Sequence, residues 1–319
     1  MARKTKRSRK SRGTKKDRIQ EVTDRIIAAL EAGTVPWVRP WDAATASGYP
    51  HNGHTGRRYN GINVMLLWLS GHTDPRWYTY KQAREHGESH VRKGQKGTQI
   101  VFWRFIEKDE KDANGQPILD ANGKPRKTSI PFLRVFTVFN HTQIEWEEGH
   151  EPGSGTTEKI DPEEAFQGAF EYFERLPVNL THAGGQACYS SKHDTVTLPP
   201  MATFNTAADY WATRAHETVH WTGHKSRCDR QLGNRFGSDA YAAEELIAEM
   251  GAAFLCAGLG IPGDLQHASY IDHWVKVLKA DKYAIFTAAR KAQDAVAYLD
   301  EMVADNTIEE EGTTALAAA

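Results

Sequence analysis

His216, Glu217 and His220 spell H-E-x-x-H within R-A-H-E-T-V-H-W-T-G-H, residues 214–224. On a helix this spacing puts two imidazoles one turn apart on the same face. Both can then reach one Zn²⁺ ion at ~2.0–2.1 Å. Glu217 stands beside that ion, where a carboxylate can take a proton from a metal-activated water. The motif is short enough to arise by chance, and a surface helix with two solvated histidines would read the same. The neighbours favour the metal. Ala208, Tyr210, Trp211, Ala215, Val219 and Trp221 make most of the helix apolar, as in a buried one. Buried imidazoles and carboxylates are costly without partners. Thr206 with Asp209 predicts a capping pair at the helix start, and Gly223 a left-handed residue after its last turn.

A second helix is predicted over residues 241–256, Y-A-A-E-E-L-I-A-E-M-G-A-A-F-L-C, with Ser238 or Asp239 as N-cap and Gly258 just past its end. Its many alanines and Gly251 allow close helix approach. Glu245 and Glu249 stand four apart on one face, and two such carboxylates repel unless a cation lies near. Zn²⁺ bound by Glu245, with Glu249 holding the far nitrogen of a ligand histidine, resolves the conflict. Glu244 is expected to be solvated. His224 is the rival third ligand, but a metzincin needs histidine at 226, where this chain has Ser226. Glu245 ranks above it. Tyr241, Tyr270 and His273 are candidates for stabilising an oxyanion, and nothing in their spacing chooses among them.

These helices belong to a chain of 319 residues with a formal charge of −1, 39 % hydrophobic and 25 % charged. That length suits two domains, each able to bury a core. No apolar run approaches the ~18 residues of a membrane span, and no signal-peptide pattern is present. Cys188, Cys228 and Cys256 are odd in number and widely spaced, which argues against a disulfide framework and for a reducing cytoplasm. Ten Lys and Arg residues against Asp17 give residues 1–18 a net charge of +9, so the other 301 carry −10. Such a tail cannot fold alone and reads as an arm that tracks nucleic acid.

Apolar periodicity predicts helices over 19–31 and 62–69, and Thr79 with Gln82 caps a short one stopped by Gly87. Residues 98–106 and 130–139 alternate as strands. Between them D-A-N-G-x-P occurs twice, at 112–117 and 120–125, so a β-hairpin with a long polar tip is expected. This half sets aromatics beside cations: Trp37, Arg39, Trp41; Arg58, Tyr59; Trp77, Tyr80, Lys81; Trp103, Arg104. Rings stack on unpaired bases while cations follow phosphates, so the interleaving suits a single-strand platform, although most such rings in any protein are core. A basic loop, V-R-K-G-Q-K-G, adds Arg92, Lys93 and Lys96. Residues 147–162 are polar and Gly-rich, as in a linker. A helix follows with Pro162 at its first position. Residues 187–198 read as a hairpin or edge strand turning at 192–194, able to pair with an extended peptide. Helical periodicity returns over 270–278 and 283–302, and 304–319 is expected to be a disordered tail.

Several long motifs occur in one order: P-W-V-R-P-W, Y-N-G-I-N (59–63, ending in Asn63), R-W-Y-T-Y-K-Q-A, V-R-K-G-Q-K-G-T, V-F-N-H-T-Q-I, Y-S-S-K-H-D-T-V-T-L-P-P, A-H-E-T-V-H-W-T-G-H and the acidic helix. In these the chain resembles the ArdC-type antirestriction proteins of conjugative plasmids and phages, from about residue 17 to 302. The resemblance implies an α+β protein of two domains. One is an α+β single-stranded-DNA-binding domain (19–146), with Asn63 among its contacts. The other is a mainly helical zincin-like metallopeptidase domain (163–303) with a small edge-strand sheet. It implies Zn²⁺ on His216, His220 and Glu245, Glu217 as general base, a protein substrate of unspecified identity, and action in the cytoplasm of a bacterial host. In related Glu-zincins the third ligand comes from an E-x-x-x-D/E helix, which maps onto Glu245 and Glu249. The alternative is a DNA-binding protein whose zinc site is structural or vestigial.

Overall fold

A single glycine lets the two motif helices touch. The computed structural model describes residues 17–37, 48–112, 115–120, 122–152, 162–230, 239–261 and 270–317, without the side chains of 103–106, 129–132, 162 and 307–317. Helix α5 is Ala207–Thr222 and α6 is Asp239–Leu259. A Cβ placed on Gly251 of α6 would lie 2.8 Å from Val219 Cγ2 of α5, inside van der Waals contact. Val219 precedes His220, so the closest approach of the helices falls beside the motif. Gly251→Ala is therefore expected to cost about 1–3 kcal/mol by overpacking and to weaken metal binding. Gly258→Ala, in the same helix with nothing within 4 Å of the added carbon, is expected to gain about 0.5–1 kcal/mol. Denaturant unfolding of the two variants checks the contrast.

The capping box expected of Thr206 and Asp209 starts α5: Asp209 N–H donates to Thr206 Oγ1 (3.1 Å), and Thr206 N–H donates to Asp209 Oδ2 (3.0 Å). Gly223, expected to be left-handed, has φ −73°. The chain does not stop there but winds on through a turn in which Cys228 N–H bonds Thr222 O and Arg230 N–H bonds Gly223 O, and Asp229 takes the positive φ (47°). Gly258 lies inside α6, and Gly260 (φ 71°) takes the left-handed position expected of it.

Around this pair stand α4 (Pro162–Glu174), α7 (Ile271–Ala280) and α8 (Ala284–Ala317). The backbone is thus helical where a disordered tail was expected from 304: α8 runs on without a break to Ala317. A three-stranded sheet packs on α5. Its strands are β7 (Asn179–His182), β8 (Cys188–Ser190) and β9 (Thr195–Leu198), in the order β7-β9-β8, with β8 antiparallel and β7 parallel to β9. The expected turn is present, with Asp194 at φ 48°.

The N-terminal half contains α1 (Arg18–Glu31), α2 (Ile62–Trp68) and α3 (Tyr80–Ala83). Its main sheet runs β1 (His51–Asn52), β2 (Arg76–Thr79), β5 (Lys127–Asn140), β4 (Thr98–Asp109), and β3 (His90–Val91) pairs with β6 (Ile144–Glu145). β4 and β5 form one long antiparallel hairpin, Thr98 opposite Val138 through Asp109 opposite Lys127. Each D-A-N-G copy makes its own tight turn, closed by Gly115 N–H to Asp112 O and Gly123 N–H to Asp120 O. The halves share one contiguous core. Trp37 meets Trp274 edge-on (5.3 Å), Phe254 of α6 packs between Tyr49 and Trp68, and Thr23 Oγ1 donates to Lys282 O (2.7 Å). No helix among the described residues is long and apolar enough to cross a membrane. The three cysteines are free thiols.

Candidate metal centre

The four-residue spacings on α5 and α6 bring three donors to one point. His216 Nε2 and His220 Nε2 are 3.1 Å apart. Glu245 Oε2 is 3.6 Å from the first and Oε1 3.5 Å from the second. Among the described residues this trio is the group of His, Cys, Asp or Glu side chains with three mutually adjacent donor atoms. His224 is not part of it. That imidazole turns to Ser226 Oγ, 2.8 Å from Nδ1.

Behind each imidazole stands a carboxylate. His216 Nδ1 faces Glu249 Oε1 at 3.5 Å, as the i, i+4 pairing on α6 suggested. His220 Nδ1 faces Glu244 Oε1 at 3.3 Å. Glu244 is buried, contrary to the expectation that water would solvate it, because Arg230 meets it in the interior. The Arg230 guanidinium donates to both Glu244 oxygens (2.9–3.2 Å), to Thr222 Oγ1 (2.8 Å) and to Val219 O (2.6 Å). It also sits at the C-terminal end of α5, where the helix dipole favours a cation. The turn after α5 thus returns a charge that orients a motif histidine through Glu244, and no pattern along the chain announces it.

Glu217, Glu244, Glu245 and Glu249 are all buried, Glu249 to 1 % exposure, and Arg230 is the buried guanidinium among them. Unbalanced buried carboxylates are expensive, so the cluster fits a divalent cation in both charge and donor chemistry. Two imidazoles and a carboxylate suit a borderline divalent ion such as Zn²⁺. The protons report the same field. Burial works against charge on His220, yet hydrogen bonds to Glu244 and Glu245 and the nearby Glu217 push its pKa up to about 10. Burial also opposes charge on Glu245, but His216 and His220 hold its carboxyl well below the usual carboxylate range.

Of the three oxyanion candidates, Tyr241 reaches the site. Its hydroxyl engages Tyr270 and Glu245, and burial, the Tyr270 bond and the Glu245 charge all raise its pKa, which keeps it a proton donor. Tyr270 lies behind it, ring centroids 6.1 Å apart, and His273 is exposed on α7. Arg227 ties the β8–β9 turn to the end of α5: it pairs with Asp194, bonds Tyr189 Oη (3.1 Å) and lies 3.9 Å over Trp221.

The residues expected to contact nucleic acid divide. Trp37 and Trp77 (1 % exposed) are core, the first against Trp274 and the second against Leu67, Ile100 and Val138, so neither offers a face for a base. Asn63 is structural. It exchanges two 2.8 Å hydrogen bonds with the Val101 backbone and fastens α2 to β4. Tyr59 is half-buried against both cores. Arg58, Tyr80, Lys81, Arg92, Lys93 and Lys96 are exposed, although Arg92 also bonds the Thr142 carbonyl. Arg39 and Trp41 lie outside the described residues, as do the side chains of Trp103 and Arg104. Two rings the pattern did not single out are exposed on one face of the hairpin, Phe102 (47 %) and Phe136 (39 %). Arg134, opposite Phe102 in the register, lies 5.6 Å over the Phe136 ring.

Residues 16–139 match the N-terminal domain of anti-restriction factor ArdC, and residues 167–291 match a zincin-like metallopeptidase domain. The metal-free structure of the antirestriction protein ArdC from plasmid R388 is similar over 91 % of this chain and 98 % of its own, at 40 % identity and a TM-score of 0.71. Its Mn(II)-bound structure is similar over 90 % and 98 %, at 41 % identity and 0.69. A DNA primase TraC of Escherichia coli is 41 % identical over 290 residues, 86 % of this chain but 26 % of the primase. The chain therefore spans about a quarter of that relative's length. An uncharacterised protein of Sinorhizobium fredii, y4eC, is 36 % identical over 92 % of this chain and 94 % of its own length.

Proposed function

The chain belongs to the ArdC family of antirestriction proteins with a zincin-like domain, and on that premise we propose that it coats incoming single-stranded DNA and carries a zinc peptidase centre. The observation that carries the enzymatic part is the convergence of His216, His220 and Glu245 on one point, with Glu217 buried beside them. A divalent ion held by that trio would act as Lewis acid and lower the pKa of water. Glu217 takes the proton from the attacking water and returns it to the leaving amine. Glu249 and Glu244 fix the ring orientations of His216 and His220. Tyr241 is a neutral donor beside the ligand carboxylate, placed to hydrogen-bond developing negative charge. The edge strand β8 offers backbone groups to an extended peptide.

The nucleic-acid part rests on Phe102, Arg134 and Phe136 on the hairpin face, with Tyr80 (53 % exposed) and Lys81 on α3 and the Arg92, Lys93, Lys96 loop. Stacking contributes ~1–3 kcal/mol per base. A Phe102→Ala/Phe136→Ala variant is therefore expected to bind a fluorescent single-stranded oligonucleotide about tenfold or more weakly, and wild-type affinity is expected to fall steeply with salt. Unchanged affinity in the variant would remove this face from the interface, and salt-insensitive or absent binding by wild type would remove the DNA role.

A further inference from the structure

Three histidines that are far apart in the chain gather in the N-terminal half. His54 lies in the turn after β1, His86 just after α3, and His150 just after β6. His54 Nδ1 and His86 Nε2 are 3.4 Å apart. Two nitrogens sharing one tetrahedral ion at ~2.0–2.1 Å lie roughly that far from each other, and the His216–His220 pair has nearly the same separation, 3.1 Å. The third imidazole lies against the glycine that follows His86. Gly87 follows His86 at φ +63°, and a Cβ there would collide with Glu147 Oε2 and come within 3.1 Å of His150 Cγ.

The carboxylates repeat the pattern seen around α5. Glu85 Oε2 stands 3.5 Å behind His54 Nε2, and Glu147 Oε2 stands 3.3 Å from His150 Nδ1. Each leaves the other ring nitrogen for an ion, which is how ligand histidines are commonly oriented. Trp146 meets His86 edge-on at 5.6 Å and gives the group an apolar floor. Burial first, and then the neighbouring His54 and His150, lower the pKa of His86, and the neutral ring is the form that ligates.

We propose that His54, His86 and His150 form a second site for a divalent transition metal, separate from the α5–α6 centre. His54 and His86 are already at ligand spacing, and His150, in an exposed turn, joins them by rotation of its side chain. Imidazole donors select zinc, copper or nickel over magnesium or calcium.

The test counts Zn²⁺ bound per chain by equilibrium dialysis and elemental analysis at neutral pH, using the full-length protein. The His54→Ala/His86→Ala variant is expected to hold one equivalent fewer than wild type, and His193→Ala, an exposed histidine elsewhere, the same number as wild type. His54→Ala alone, at an exposed turn, is expected to give the same loss without disturbing the packing of His86 on Trp146. Cu²⁺ titrated in place of Zn²⁺ should show nitrogen hyperfine coupling in wild type that is reduced in both cluster variants. Equal Zn²⁺ counts in wild type, the double variant and His54→Ala overturn the proposal.

Discussion

Glu217→Gln is expected to lower peptide-bond hydrolysis by about 10²–10⁴-fold, the range for a positioned general base, while metal content and oligonucleotide affinity stay at wild-type levels. The substitution keeps the shape and removes the base. Glu217 is buried on α5 between the two motif histidines, and the ligand trio is complete without it. His216→Ala should instead lose metal and activity together. Antirestriction activity that survives Glu217→Gln but not His216→Ala would assign the site a structural role. Loss in both would assign it chemistry. Turnover of a peptide library, measured beside metal content, separates these outcomes.

Arg230→Ala is expected to destabilise the protein by about 3–5 kcal/mol, the range for breaking a buried ion pair from one side. Its guanidinium makes five hydrogen bonds, three to Glu244 and two to α5, and is almost wholly buried. Without it Glu244 keeps its charge in the interior and His220 loses its fixed partner. Arg214→Ala is the useful comparison. Arg214 is also buried, but its partner Glu174 is half exposed to water, and the arginine rests on Phe173 and Trp211. Its loss should cost less, because the stranded carboxylate can be hydrated. Adding Glu244→Gln to Arg230→Ala should recover part of the lost stability by removing the unpaired charge. Urea unfolding midpoints at constant m-value report all three.

What could be read along the chain was what lies on one helix or one turn. The capping box of α5, the i, i+4 histidines and the Glu245–Glu249 pair are local spacings, and their geometry follows from 3.6 residues per turn. Adjacent helical residues point about 100° apart, so the face that turns Glu245 inward would by itself leave Glu244 in water. It does not, since α6 is covered on nearly every side and Arg230 comes in from the turn after α5. Gly223 is not left-handed for a related reason: the chain after α5 folds back along it, and the left-handed residue is delayed to Asp229. Among the aromatics, alternation along a strand cannot tell that a hairpin outruns its core. Ile100 and Val138 are buried while Phe102 and Phe136, two residues further along the same face, are exposed. Strands such as β1, β3, β6 and β7 are two to four residues long and exist only through partners distant in sequence.

The joint grip of α5 and α6 on one ion is tested most directly by anomalous diffraction at the zinc edge from crystals grown with Zn²⁺. The expected result is a peak between the two helices bonded at once to His216, His220 and Glu245. A peak held by the imidazoles with Glu245 turned away, or no peak between the two helices, would contradict it.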